Sequence, residues 1–233
     1  SLVKKAREHA DYIVMSIFVN PLQFGPNEDF NQYPRDFARD EQMAGEAGVD
    51  LIFYPEVSAM YPADPKVFVD VKGLDQHLCG ASRPGHFRGV VTVVAKLFLI
   101  VLPDIAVFGE KDFQQYTILK RMVTDLNFPV TIIPGPTHRE ADGLAMSSRN
   151  RYLSPEEREC APLLFQSLKQ ASDSFQQSIT KWETLQTKIT EKLTESPIPF
   201  RLDYISLVDG QELFPKEDAQ EGDVIAIAVY LGK

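Results

Sequence analysis

The chain has 233 residues, 44% hydrophobic and 24% charged, with 24 basic against 33 acidic side chains and a net charge of −9. That composition is globular rather than disordered, and so acidic a surface argues against nucleic acid or an anionic membrane as a partner. Cys79 and Cys160 make no disulfide framework and no CxxC, which fits a reducing, cytoplasmic setting. The opening run Lys4-Lys5-Ala6-Arg7-Glu8 does not read as a signal peptide. The longest apolar stretch, Gly89 to Pro103, is interrupted by Thr92 and Lys96 and is too short to span a bilayer.

Asp11 to Val19 reads as a strand, and its near-continuous hydrophobicity predicts burial on both faces. A helix is expected from Asp36 to Gly45, strands at Leu51 to Tyr54 and Val67 to Val71, and an apolar helix from Gly89 to Leu102 that Pro103 stops. Ile105 to Phe108 reads as a buried strand, Lys111 to Leu126 as an amphipathic helix, and Val130 to Ile133 as a further strand. Strands alternating with helices predict a Rossmann-like, doubly wound parallel sheet of the α/β class.

Pro134-Gly135-Pro136 reads as a linker. Beyond it, Ser154-Pro155-Glu156-Glu157 is a capping box, and Thr180-Lys181-Trp182-Glu183 follows the same logic for a second helix. Gln170 to Ser178 reads as a helix end plus loop, and two alternating strand patterns close the chain, Arg201 to Val208 and Asp223 to Leu231. The division expected is residues 1–137 as a Rossmann-like binding domain and residues 138–233 as a smaller α+β lid.

In open α/β sheets ligands bind where the strands end. The first strand leads into Asn20-Pro21-Leu22-Gln23-Phe24-Gly25-Pro26-Asn27, whose two amides suit a hydroxy acid or form an ordinary polar loop. From Gly80 to Arg121 there are six basic residues against three acidic ones, an island that suits a small anion or is a solvated face. Within it, Ser82 to Gly89 places Arg83, His86 and Arg88 where they grip a carboxylate or phosphate, or serve only the loop. Gly109-Glu110-Lys111-Asp112 puts a lysine in a first helical turn against the helix dipole, which points to an anionic ligand unless Glu110 or Asp112 pairs with it. Asp142 to Asn150 sets Ser147 and Ser148 beside Arg149, a pattern for polyphosphate or for a capped turn. Walker A, GxGxxG, HExxH and GxSxG are absent, and His9, His77, His86 and His138 are too far apart in sequence to pair on a metal.

Taken together and in this order, Val19 to Phe24, Arg83 to Val90, Phe108 to Gln115 and Asp142 to Asn150 resemble the pantoate–β-alanine ligase (pantothenate synthetase) family over nearly the whole chain. The resemblance implies that pantoate, activated by ATP as pantoyl adenylate, is joined to β-alanine, with release of pyrophosphate and AMP. The first domain would then bind nucleotide and pantoate. The resemblance implies that Gln23 and Gln115 hold pantoate with Asn20 nearby, that Lys111, Ser147, Ser148 and Arg149 hold phosphates, and that Arg83 and His86 lie at the reacting centre. Gly109, Glu110, Asp112 and Met146 would follow the nucleotide, the His138 backbone would meet adenine, and Asp40 would partner the Mg²⁺ that accompanies ATP. A homodimer is implied as well. The resemblance further implies a first strand with a His-x-Gly-His type motif before Ser1 and a short continuation after Leu231-Gly232-Lys233, and the expectation is a family member lacking both. Two other readings stay open: a module that binds ATP or pantoate without catalysis, and a nucleotidyltransferase that passes AMP or CMP to another acceptor.

Overall fold

Ser1 caps the first helix, its Oγ accepting from the Lys4 backbone N–H at 3.3 Å, in a computed structural model that describes residues 1–26 and 28–231. Asn27, at the end of the first loop singled out above, and Gly232-Lys233 lie outside the described residues. The chain forms two compact units. The first comprises Ser1–Gln76 and Arg83–Pro136; the second comprises His77–Ser82 and the chain from Thr137 onward.

The first unit is built from parallel βαβ elements. Helix α1 (Leu2–Arg7) is tied down by Arg7, which reaches the Gly48 carbonyl and the Asp50 carboxylate at 2.6 Å each. Strand β1 (Val14–Ser16) pairs in parallel with β2 (Leu51–Phe53), and α2 (Phe37–Ala47) connects them, capped by Asp36 and ended by Gly48 at φ 87°. After α3 (Val57–Met60) the expected strand Val67–Val71 does not form. Its backbone meets a helix instead of a strand: the Thr92 hydroxyl accepts from Val69 N–H and donates to Val69 C=O, both at 3.1 Å, and Arg88 lies 4.3 Å over the Phe68 ring. A single hydroxyl thus takes the place of a neighbouring strand.

Strand β3 (Ile105–Gly109) pairs in parallel with β4 (Thr131–Gly135) through helix α6 (Phe113–Asp125). The expected helix from Lys111 therefore starts two residues late, because Glu110–Asp112 is wound as a 3₁₀ turn. Pro134 and Gly135, expected in a linker, complete β4, and the chain leaves the unit after Pro136. The two parallel pairs are separate two-stranded sheets; no strand among the described residues joins them.

In the second unit, α4 (Leu78–Ser82) docks by its Ser82 hydroxyl on Asp203, 3.1 Å away. Ser154 and Glu157 make the expected reciprocal capping box at α7 (Pro155–Cys160). Helix α8 (Leu163–Gln176) ends within Gln170–Ser178, the stretch expected to be a helix end plus loop, and the chain turns at Ser178 with φ 67°. Thr180 does not cap α9 (Trp182–Thr194). Its hydroxyl faces Asp218 at 3.5 Å, and Lys181 occupies the cap position without a side-chain capping bond, its ammonium also on Asp218 at 2.8 Å. Strands β5 (Phe200–Val208) and β6 (Val224–Leu231) pair antiparallel, and Ala171, Leu185, Ile189, Leu193, Leu207 and Ala219 form the core beneath them.

Helix α5 (His86–Val101) begins three residues before the expected Gly89, buries ten residues in the first unit and ends at Leu102, φ 51°. Gly89 lies against the 3₁₀ turn Pro21–Gln23: a Cβ there would stand 2.3 Å from the Leu22 carbonyl oxygen and 2.7 Å from the Gln23 nitrogen. Because both contacts are backbone, neither can swing aside. Gly89→Ala is therefore expected to cost about 1–3 kcal/mol in urea unfolding at unchanged m-value. Gly45→Ala, in open space on α2, should instead stabilise by about 0.5–1 kcal/mol; equal effects at both sites would contradict the close approach.

Candidate active site

Leaving β1, the chain reaches Asn20, whose side chain caps the Pro21–Gln23 turn by accepting from Leu22 N–H at 3.3 Å. Pro21 presets φ at the first position of that turn. Asn20 is only 2% exposed, and its amide is fully engaged. Nδ2 donates to Gly89 C=O at 3.0 Å and to Gln23 Oε1 at 3.2 Å, and Oδ1 also accepts the Tyr61 hydroxyl at 2.8 Å. Two donor hydrogens and two lone pairs are all an amide has. Asn20 is thus saturated by the protein, and the amide it steadies is that of Gln23.

Gln23 is gripped at its main chain as well. His86 Nδ1 lies 2.8 Å from Gln23 C=O, and Arg83 Nη2 donates to the same oxygen at 3.3 Å. A carbonyl only accepts, so His86 carries its proton on Nδ1, and its Nε2 lone pair faces Arg83 Nη1 at 3.2 Å. Burial pushes the His86 pKa below its ordinary value; the bond to Gln23 opposes this and the Arg83 charge reinforces it. The imidazole is therefore a neutral spacer between Gln23 and Arg83. With its lone pair held by Arg83, it is not arranged as a proton acceptor for substrate.

Arg83 is held in turn by Glu28, with Nε to Oε1 at 3.0 Å and Nη2 to Oε2 at 2.5 Å. Burial alone would raise the Glu28 pKa, but the guanidinium fork and the Gly25 backbone bond bring it below the usual carboxylate range. Phe24, next in the chain, stacks edge-on with Phe30 and Tyr33 at 5.2 and 5.9 Å and holds the loop that brings Glu28 back.

At the carboxyl end of β3, Gly109 leads into the Glu110–Asp112 turn. Lys111 is 40% exposed, and its ammonium stands 3.7 Å from Asp112, a long ion pair. Asp112 also acts on the charge of His86, which places the turn in the electrostatic neighbourhood of the Gln23 cluster. Of the two glutamines that follow, Gln114 is buried and donates to Leu74 C=O at 2.8 Å, whereas Gln115 is only half-buried. Gln114 thus serves the fold. Asp40 lies half-buried in the first turn of α2. Among the described residues no three His, Cys, Asp or Glu side chains gather as a ready-made metal site. Mg²⁺ bound with a nucleotide does not need one, since phosphates and water fill most of its octahedron and one or two carboxylates suffice.

In the second unit the five expected residues share one hairpin and the turn after it. Met146 N–H donates to His138 C=O at 2.9 Å, and Arg139 bridges to Ala145. Arg158 ties Glu140 and Asp142 together at 2.7 and 2.6 Å, and Arg139 lies 3.9 Å over the Phe165 ring. Gly143, at φ 96°, leaves no room for a Cβ against Phe165. Ser147 caps the 3₁₀ turn Ser148–Tyr152 by accepting from Arg149 N–H at 3.3 Å. Met146, Ser148 and Arg149 are exposed on this braced turn.

Tyr61, Glu28 and Arg158 are the residues that sequence reasoning missed. Each acts on a partner 16 to 55 positions away, and no local spacing signals such a pair. For Gly89 a signal existed, a glycine inside an apolar helix, which marks a close approach.

A family model described as Pantoate-beta-alanine ligase matches residues 1–233. The pantothenate synthetase of Moorella thermoacetica is 51% identical over 232 residues, covering 100% of this chain and 82% of the relative. That of Heliobacterium modesticaldum is 51% identical over 233 residues, covering 100% and 83%. Among solved structures, pantothenate synthetase from Thermus thermophilus superposes with a TM-score of 0.94 at 48% identity, over 98% of this chain and 83% of that one. Pantoate-beta-alanine ligase from Francisella tularensis, complexed with beta-gamma ATP and beta-alanine, gives 0.77 at 34% identity with the same coverage. These likenesses carry the Rossmann-like fold as well as the family.

The neutral state of His86 makes a prediction about pH. Its folded pKa lies below the unfolded value of 6.5, so the unfolded chain takes up the proton first. The stability this contributes is complete above that value and is lost as pH falls below it. The unfolding free energy of the protein should drop as pH falls below 6.5. The drop should be smaller in His86→Asn, whose Nδ2–H can still donate to Gln23 C=O. Identical slopes in the two proteins would show that His86 is not held neutral.

Proposed function

The chain belongs to the pantoate-beta-alanine ligase family, and we propose a division of labour among its residues for the reaction of that family. The activity is ATP-dependent ligation of pantoate and β-alanine to pantothenate. A carboxylate and an amine do not condense in water, so the carboxylate is first activated. A pantoate carboxylate oxygen attacks the α-phosphorus of ATP, the bond to the β-phosphate breaks, and pyrophosphate leaves. The β-alanine amine then attacks the acyl carbon of pantoyl adenylate, AMP leaves, and the ammonium proton passes to solvent.

Gln23 and Gln115 hold pantoate, and Asn20 steadies Gln23 from behind. Arg83 and His86 hold the Gln23 main chain at the reacting centre. Lys111, Ser147, Ser148 and Arg149 bind phosphate oxygens, where negative charge builds up as pyrophosphate departs. Gly109, Glu110, Asp112 and Met146 follow the nucleotide, and the His138 backbone meets adenine. Asp40 would hold Mg²⁺ together with the phosphates, and the ion would supply charge neutralisation there. Orienting the two reactants contributes up to about 7–11 kcal/mol in favourable cases.

The observation that carries this reading is Gln23. Its main-chain oxygen and side-chain oxygen are both gripped by the protein, and among the described residues no partner takes its Nε2 hydrogens. A donor pair fixed in this way is a recognition element for hydroxyl or carboxylate oxygens. No helix among the described residues is long and apolar enough to cross a membrane, which accords with a cytoplasmic enzyme acting on small molecules. Leu99, Ile100 and Leu102 at the end of α5 are 66%, 49% and 73% exposed and support a second copy covering them, hence a homodimer.

Purified protein supplied with ATP, Mg²⁺, pantoate and β-alanine should form pantothenate and AMP in equal amounts, and none when any substrate is withheld. Lys111→Ala should retain the fold and lower kcat by about 10²–10³. AMP formation independent of pantoate would contradict the function, and an unchanged kcat would contradict the role of Lys111.

A further inference from the structure

We propose that Tyr61 is a positioning residue for this ligation: through Asn20, its hydroxyl sets which end of the Gln23 amide faces pantoate. The inference rests on the reading of Gln23 given above and extends it to a residue that does not touch substrate. A primary amide has two similar ends, one donating and one accepting, so a binding glutamine that can flip presents the wrong end part of the time. The Gln23 amide is set by Asn20 Nδ2, which donates to its Oε1 at 3.2 Å. That bond is only as reliable as the orientation of Asn20 itself.

Asn20 could flip too. Flipped, its oxygen would face the Gly89 carbonyl and Gln23 Oε1, and its NH₂ would face the Leu22 N–H, so acceptors would meet acceptors and a donor would meet a donor. The Leu22 contact, at 3.3 Å, is the weaker hold on Oδ1. The Tyr61 hydroxyl, at 2.8 Å, is the stronger. Burial pushes the Tyr61 pKa up to about 12, so the phenol keeps its proton at neutral pH. Its ring cannot swing away: Tyr61 is 8% exposed, with the Phe18 ring centre at 6.3 Å and the Lys96 ammonium 5.8 Å over its face. The polarity therefore runs one way, from phenol to Asn20 oxygen, from Asn20 nitrogen to Gln23 oxygen, and it leaves the Gln23 NH₂ toward an oxygen of the substrate.

Tyr61→Phe removes the hydroxyl and keeps the ring. The Michaelis constant for pantoate should rise roughly tenfold, as expected for about one hydrogen bond. Those for ATP and β-alanine should stay within about twofold and the thermal midpoint within a few degrees. In a Gln23→Ala background the same substitution should add nothing, because the amide it orients is gone. The proposal is overturned if Tyr61→Phe leaves the pantoate constant unchanged, if it raises all three constants alike, or if its effect persists in full beside Gln23→Ala. The cycle with Gln23→Ala decides the matter even if Tyr61→Phe costs stability, since a general loss of structure would appear in both backgrounds. Wild-type protein that makes no AMP in response to pantoate would instead overturn the function itself, and this inference with it.

Discussion

The first unit depends on one contact in which two backbones meet without a side chain between them. Gly89 on α5 touches the main chain of Leu22 and Gln23, and its own carbonyl accepts from Asn20. A helix bearing any larger residue there would have to stand off, because a Cβ would lie 2.3 Å from the Leu22 oxygen, and the hydrogen bonds that converge on Gln23 would lengthen together. His86, one turn earlier on the same helix, could no longer reach Gln23 C=O at 2.8 Å, nor Arg83 the same oxygen. The site is thus aligned by steric fit first and by polar bonds second, an order that suits a rigid recognition element.

Charge is disposed in the same spirit. The basic island in an otherwise acidic chain is mostly occupied with its own structure. Arg83 is clamped by Glu28, Arg88 lies on Phe68, Lys96 lies over Tyr61, and Arg121 pairs with Asp125 at 2.9 Å. Lys111, at the end of a parallel strand, is paired among the described residues only at long range, with Asp112 at 3.7 Å. A cation so loosely held can turn to a phosphate at little electrostatic cost, whereas Arg83 would have to abandon a partly buried fork.

Much of the fold was legible because it rests on local chemistry. Helix α2 shows its cap at Asp36, α7 its capping box, and α5 and β3 their apolar runs. The misreadings have non-local causes. Val67 to Val71 has strand composition but finds Thr92 instead of a strand, Thr180 is drawn off its helix by Asp218, and Pro134-Gly135 is held in β4 by pairing with β3. Helix α4 joins the second unit through Asp203, 121 residues from Ser82. At the site, the residues with motif spacing were all visible in sequence. Their supports, Tyr61 and Glu28, were not, because hydrogen bonds across 41 and 55 residues leave no periodic trace. The residue pattern alone did not distinguish Asn20 from Gln23 as the residue that presents a donor; only the resemblance set Gln23 on pantoate and Asn20 beside it. Only the completed hydrogen-bond pattern shows that one amide is saturated and the other is not.

In the proposed reaction the protein activates pantoate as an adenylate before the amine takes part. Exchange of labelled pyrophosphate into ATP measures that half-reaction directly. The exchange should require pantoate and Mg²⁺ and proceed without β-alanine. Exchange that ignores pantoate, or appears only when β-alanine is present, would contradict it.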